Sequence, residues 1–393
     1  MKFSQTFLGK CCPPLLLTSV RILLRPSQRR RFVREIHIRR AQDSLIAEQY
    51  NPDGANLVVY IVDGADWITG KERISGGLLS IASMFEEAKK LPELASYQVI
   101  MVMLDSCPLI LRHTEFENNI TVFRFSQVFS FFGHLRHLII NVPELLVPMF
   151  PAELGAVPRH RLKGTDNLHI NILNQNILKM PGPESVDALK HIAKNVTMTT
   201  AHVRYCTEVL SRQYKVSMHN LSVFGSPERY RRCAYAEKEN LMIASPDQQP
   251  MSATILEGVQ ARLPSLRIQV IKNLTYGDYK ATIERAKWAI TFGEGLDFYF
   301  IETVFSGGIS FAVYNDDFFP KEFTELPAVF STYEHMCREL PAMIEHLDNP
   351  INFNECQKAQ FNLCRKHYQY DRYLRNLSAF YRGDYDVKFH GGS

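Results

Sequence analysis

Glu294 and Glu302 stand eight positions apart, and the first is set between two glycines, Gly293 and Gly295. The residues before them, Trp288-Ala289-Ile290-Thr291-Phe292, read as a buried strand, and those from about Tyr299 to Phe305 read as a helix. The glycines therefore fall in a strand-to-helix turn. In open α/β sheets, ligands bind beyond the carboxyl ends of strands. Glycine there lets the backbone pass close to a ligand, and the N–H groups of the following helix face phosphate oxygens. Leu296 continues the loop toward Asp297. Two acceptor carboxylates reaching one cleft from such a loop suit the hydroxyls of a sugar and of a ribose.

Positioning those groups requires a sheet, and the pattern supplies more than one. Asn56–Val62 is a β-branched run ended by Asp63-Gly64-Ala65-Asp66. Gly76-Gly77 then opens a stretch in which Leu78, Ile81, Ala82, Phe85 and Ala88 recur at helical spacing. Further strands are expected at 97–104, 120–125, 137–142, 168–173 and 196–200, with helices from near Pro183 and from about His202 to Tyr214. Ser217 to Glu239 reads as an irregular interdomain connection. A second series follows: strands at 240–245, 268–271, 288–292 and 309–313, helices at about 253–263 and 276–286, and helices from about Thr332 onward with a Tyr-rich end. The expected class is α/β, as two doubly wound Rossmann-like domains with C-terminal helices.

Composition agrees with this. At 393 residues the chain exceeds what one core usually organises. Its 46% hydrophobic and 22% charged residues exclude a disordered or fibrous protein. Eight cysteines without a Cys-x-x-Cys pair point neither to a disulfide scaffold nor to a zinc site, so a reducing, cytoplasmic setting is expected. The sequons at Asn195 and Asn273 are of a kind that arises often by chance. Residues 1–40 hold ten Lys or Arg and one acid, Glu35, whereas the formal net charge of the whole is +4, so the rest of the chain is net acidic and carries no nucleic-acid footprint. The basic arm has three readings: an anchor to an anionic membrane surface at the inner face, an organellar transit segment, or a plain tail. Its apolar runs are broken by Arg21 and Arg25, too often to span a bilayer.

The string GEGLDFYFIETVFSGGISFAVYND, with its apolar strand ahead, resembles the donor-binding segment of retaining glycosyltransferases of the two-Rossmann (GT-B) architecture, the group-one family. The likeness runs loosely over residues 56–320. Ser75-Gly76-Gly77-Leu78 is similar to that family's glycine-rich loop near the diphosphate and acceptor, and Tyr276, Asp278 and Tyr279 give a variant similar to bacterial polysaccharide glycosyltransferases, rhamnosyltransferases among them.

The resemblance implies two domains facing a central cleft. It gives Glu294 the sugar hydroxyls and Glu302 the ribose, with Gly293, Gly295 and Leu296 lining the donor. It implies a nucleotide-sugar donor, a glycan or lipid-linked acceptor, front-side substitution with retention, and no metal cofactor. Two positions depart from it. Many members carry Lys or Arg after the first strand of the second domain, where this chain has Ser245-Pro246-Asp247-Gln248-Gln249-Pro250, so Arg229, Arg231 and Arg232 are the candidate partners of the diphosphate. Asn174-Gln175 align where many members place a histidine, and an amide binds hydroxyls without acid–base chemistry.

The expected division is an arm at 1–45, an acceptor domain at 46–220, a donor domain at 221–345, and helices at 346–393 that pack back toward the first domain. Four rival readings exist. A nucleotide-sugar epimerase and a degenerate, non-catalytic nucleotide-sugar-binding scaffold stay open. A glycosidase is disfavoured, since both carboxylates approach from one side. A dehydrogenase is disfavoured too, since no Gly-x-Gly-x-x-Gly follows the first strand.

Overall fold

The computed structural model describes residues 26–63, 75–113, 120–157, 165–222, 225, 227–247, 249–272 and 274–390. Residues 1–25 of the basic arm, the turn Gly64-Ala65-Asp66, Gln248 and the sequon residue Asn273 lie outside them. Two compact units emerge. One holds the described residues up to Met198, apart from Gln175–Ile177, and the other holds Gln175–Ile177 and the residues from Thr199 onward.

The first sheet has seven strands, in chain order β1 (Asn56–Ile61), β2 (Gln98–Met103), β5 (Phe123–Arg124), β6 (His137–Pro143), β7 (Asn167–Asn174), β8 (Asn195–Thr200) and β9 (Ser217–Asn220). In space they run β5-β2-β1-β6-β7-β8-β9. The pairs β1/β2, β1/β6, β2/β5 and β6/β7 are parallel, with Val58 opposite both Val99 and Ile139. The chain starts in the middle, winds outward to β5, then returns to build the other half. The order reverses between β1 and β6, and helix α1 of this winding, Gly76–Ala88, begins after β1. The segment expected as one strand at 120–125 is split. Ile120–Thr121 (β4) pairs antiparallel with Arg112–His113 (β3), β5 joins the main sheet, and Phe125 already begins a helix.

A polar chain crosses the interior of this sheet. His169 Nε2 lies 2.7 Å from Thr197 Oγ1, Thr197 Oγ1 donates to Asn171 Oδ1 at 3.0 Å, and Asn171 Nδ2 donates to Asn141 Oδ1 at 3.0 Å. The threonine's single proton goes to Asn171, so His169 must be the Nε2–H donor of its own bond. All four side chains are buried, and burial lowers the His169 pKa to about 4, so the ring is neutral.

The basic arm is in part a docked element. Pro26–Gln49 is a helix, and Ile38, Gln42 and Ile46, four residues apart, form its buried stripe. Gln42 Nε2 donates to the carbonyls of Val122 (2.7 Å) and Ile110 (3.3 Å). Arg124 reaches back to Gln42 Oε1 and Asp43 Oδ1, both at 2.6 Å. Its arginines mask this stripe in sequence, which is why residues 26–45 read as an arm.

The second sheet has five parallel strands, β10 (Glu239–Ala244), β11 (Arg267–Val270), β12 (Ala286–Ile290), β13 (Ile309–Val313) and β14 (Val329–Phe330), in the order β11-β10-β12-β13-β14. The reversal here lies between β10 and β12. One face is closed by helices Ser252–Arg262, Tyr333–Leu347 and Pro350–His367, whose Ile255, Val259, Met336, Leu340 and Phe353 pack with Trp288, Phe311 and Phe330. Burying each such side chain contributes about 2 kcal/mol. Helix Tyr276–Arg285 leads from β11 into β12 and Phe298–Phe305 from β12 into β13.

Besides β3, two strands fall where none was expected. β14 is two residues long, and β9, Ser-Met-His-Asn, lies inside the stretch read as an irregular connection. After the last helix, Tyr370–Arg382, Gly383 adopts φ +78° and the tail turns so that Val387 exchanges both backbone hydrogen bonds with Met218 of β9 (2.8 and 3.0 Å).

Candidate functional site

The carboxyl ends of β10 and β12 meet at the reversal point of the second sheet, the place where an open α/β sheet leaves a crevice. The loop after β12 is pinned there. Thr291 Oγ1 donates to the Gly295 carbonyl at 2.6 Å, and Phe292 N donates to Ser245 Oγ at 3.0 Å, which ties the two strand ends together.

Gly293 and Gly295 have φ of +66° and +81°, a region that L side chains avoid. Gly295 faces the end of β13, where an added Cβ would stand 2.6 Å from the Phe319 ring and 2.9 Å from the Val313 carbonyl. Packing thus accounts for Gly295. Gly293 is exposed, and an added Cβ would meet the Asp247 carboxyl at 3.2 Å. Leu296 is buried.

Glu294 is half-buried at the crest of this loop. The amide of Asn176 donates to its Oε1 at 2.8 Å. Of the amides expected on the acceptor side, Asn174 is buried at the last position of β7, and Gln175 is half-buried beside Asn176. Asp297 caps helix Phe298–Phe305 by accepting from Phe300 N at 3.0 Å. Burial, with Asp247 and Glu294 nearby, raises the Asp297 pKa well above the carboxylate range despite that bond.

Glu302 lies in the second turn of the same helix and is 1% exposed. Its Oε1 accepts from Tyr230 Oη at 2.6 Å and from Tyr276 Oη at 2.9 Å, with those two oxygens 3.4 Å apart, and Tyr279 flanks the carboxylate from a third side. Burial raises the Glu302 pKa, while the phenols and the positive charge of Arg229 lower it in opposition. Burial and the carboxylate together push all three phenols up. Tyr230 and Tyr279 are buried, and Tyr276 keeps part of its surface exposed.

The arginines separate. Arg229 is exposed and acts electrostatically on Glu302 and Tyr276. Arg231 pairs with Glu237. Arg232 donates to Gln357 Oε1 at 2.6 Å and lies 4.2 Å over the Phe361 ring, so its guanidinium is engaged with helix Pro350–His367. In the first sheet, Gly76 and Gly77 are the first residues of their helix, whose Ser75 cap accepts from Leu78 N at 3.3 Å. His202 and Arg204 have packing and pairing roles: His202 sits edge-on to Phe318, its pKa lowered by burial to about 4, and Arg204 pairs with Asp316.

Sequence reasoning singled out Tyr276 and Tyr279 but missed Tyr230, which stands in an irregular stretch where no periodicity points to it. It also gave no role to Asp297, three residues after Glu294, or to Asp247, which the order of the strands brings to the same loop.

No family model and no curated protein matches the sequence. The fold is nevertheless that of GT-B glycosyltransferases, with two parallel-sheet domains and C-terminal helices. A variant of TarM from S. aureus, solved with fondaparinux, α-GlcNAc-glycerol and UDP, is similar with a TM-score of 0.55 at 9% identity, over 83% of this chain and 99% of that one. HepE of Anabaena in complex with UDP-glucose gives 0.53 at 8% identity, over 84% and 98%. Sucrose-phosphate synthase from Thermosynechococcus elongatus gives 0.52 at 10% identity, over 84% and 98%.

Proposed function

We propose that the protein is a glycosyltransferase that moves a sugar from a nucleotide-sugar donor to a glycan or lipid-linked acceptor with retention, in polysaccharide biosynthesis. The observation that carries this reading is Glu294, a half-buried carboxylate on a pinned glycine loop at the reversal point of the second sheet. A carboxylate accepts hydrogen bonds from sugar hydroxyls and holds a polyol in one orientation. Glu302 and its tyrosines belong to the nucleoside side of the same site. Proteins of this fold crystallised with UDP or UDP-glucose support a donor of that chemistry.

In the mechanism that fits these residues, the leaving diphosphate assists deprotonation of the acceptor hydroxyl, while the protein orients the sugar and stabilises the departing charge. The resemblance gives Asn174 and Gln175 the acceptor hydroxyls and Gly76 and Gly77 the diphosphate, and on the Glu302 side Arg229 supplies positive charge. Arg232 would have to leave Gln357 and Phe361 to join it. No metal ion is required by this scheme.

The second reading, a binding scaffold without turnover, is favoured by Ser245-Pro246-Asp247, an acidic segment where the diphosphate's cation would be placed. A mass-spectrometric screen of UDP-, GDP- and dTDP-sugars with and without glycan acceptors decides among these. Acceptor-dependent release of the nucleoside diphosphate is the expected result. Donor binding without turnover would establish the scaffold, and an altered donor sugar without acceptor would establish an epimerase.

A further inference from the structure

A carboxylate that binds the two hydroxyls of a ribose must present its oxygens to the ligand. Glu302 does not, because it is 1% exposed and one oxygen already accepts from two phenols at 2.6 and 2.9 Å. Of the three tyrosines around it, Tyr230 and Tyr279 are buried and Tyr276 is the most exposed. Tyr276 is the first residue of its helix, at the carboxyl end of β11 beside the crevice strand β10. Its ring stacks on Tyr279 (6.1 Å between centroids), and the Lys280 ammonium lies 5.6 Å from its centroid. The phenol oxygen donates its proton to Glu302 and keeps a lone pair that can accept from a ligand hydroxyl.

We propose that Tyr276 is the group that meets the ribose of the nucleotide, and that Glu302 is a positioning residue behind it, fixing the Tyr276 hydroxyl through the 2.9 Å bond. This rests on the transferase reading above and deepens it. Tyr230, bonded to the same oxygen from the buried side, holds the carboxylate in turn. The chain Tyr230–Glu302–Tyr276 orients one phenol and leaves its outward side for the ligand.

The test is calorimetric titration of the full chain with UDP and with 2′,3′-dideoxy-UDP. The parent should prefer UDP by about tenfold, the worth of one good hydrogen bond. Tyr276→Phe should lose that preference, with dideoxy-UDP binding unchanged and the melting temperature close to the parent's. Glu302→Gln keeps an oxygen acceptor for both phenols and should retain the preference. Glu302→Ala, which releases Tyr276, should lose it, so the conservative variant rescues what the truncation removes.

The proposal is overturned if Tyr276→Phe retains the preference, if Glu302→Gln loses it, or if the parent shows none while binding UDP. If UDP does not bind, the same series is run with GDP and its dideoxy form. A parent that binds no nucleoside diphosphate at all overturns the transferase reading, and this inference falls with it.

Discussion

Two buried polar constellations, one in each unit, make opposite use of similar chemistry. The His169–Thr197–Asn171–Asn141 chain lies inside the seven-stranded sheet. It is neutral throughout, and each member hydrogen-bonds the next. The Tyr230–Glu302–Tyr276 cluster is centred on a carboxylate and sits at the strand-end side of the five-stranded sheet, with one member reaching the surface. A self-contained network specifies a core, and truncating it leaves unsatisfied groups at a cost in stability. A network with one outward member at a sheet's carboxyl end can hand its geometry on to a ligand. Buried polarity alone therefore does not mark function. Its place along the strands does.

That contrast can be broken most forcefully at the crevice. Glu294→Gln should lower transfer by about 100-fold or more, in the range of other losses of a preorganised active-site contact, and leave the melting temperature unchanged. Activity within about twofold of the parent would remove Glu294 from the site.

Next in size is the titration of His169. Its pKa in the fold, about 4, lies below the unfolded value, so the folded state binds fewer protons between those two values. Stability from this residue is complete above about pH 6.5 and is lost as pH falls toward 4, by about 3 kcal/mol. Urea midpoints measured at pH 7 and pH 4.5 should show this part of the decline in the parent and not in His169→Gln. Equal declines would show that the ring is not held neutral. Asn171→Leu should cost about 2 kcal/mol by removing a donor to Asn141 Oδ1 and the acceptor of the Thr197 hydroxyl, while nucleotide affinity stays unchanged; a loss of affinity would erase the distinction between the two networks. The smallest effect is expected at Gln42→Ala. It removes the donor to two backbone carbonyls and one acceptor of the Arg124 guanidinium, which keeps Asp43, and should lower the urea midpoint by the equivalent of about 1 kcal/mol.

The strands that build both sheets were legible because buried parallel strands are continuous apolar runs, as in Leu57–Val62 and Trp288–Phe292. The crevice loop was legible because positive φ at Gly293 and Gly295 restricts the residue type. What stayed hidden has physical reasons of its own. β9 carries Ser, His and Asn, whose burial depends on partners far along the chain, such as Asp386 and Asn376 for His219. Helix Pro26–Gln49 hides a narrow contact stripe, with a glutamine at its centre, under a surplus of arginine. Arg232 and Tyr230, two residues apart, go respectively to the Gln357 helix and to Glu302, a divergence that no spacing rule encodes.

The tail's return to β9 has a consequence for the protein's behaviour in bulk. Residues 386–389 run along an edge strand. Val387 occupies both backbone hydrogen-bonding groups of Met218, Phe389 N donates to Ser217 Oγ at 3.0 Å, and the Asp386 carboxylate accepts from Asn220 N at 2.7 Å. An open strand margin is a template on which other chains can add. By laying residues 386–389 over that margin, the polypeptide guards it against edge-to-edge aggregation.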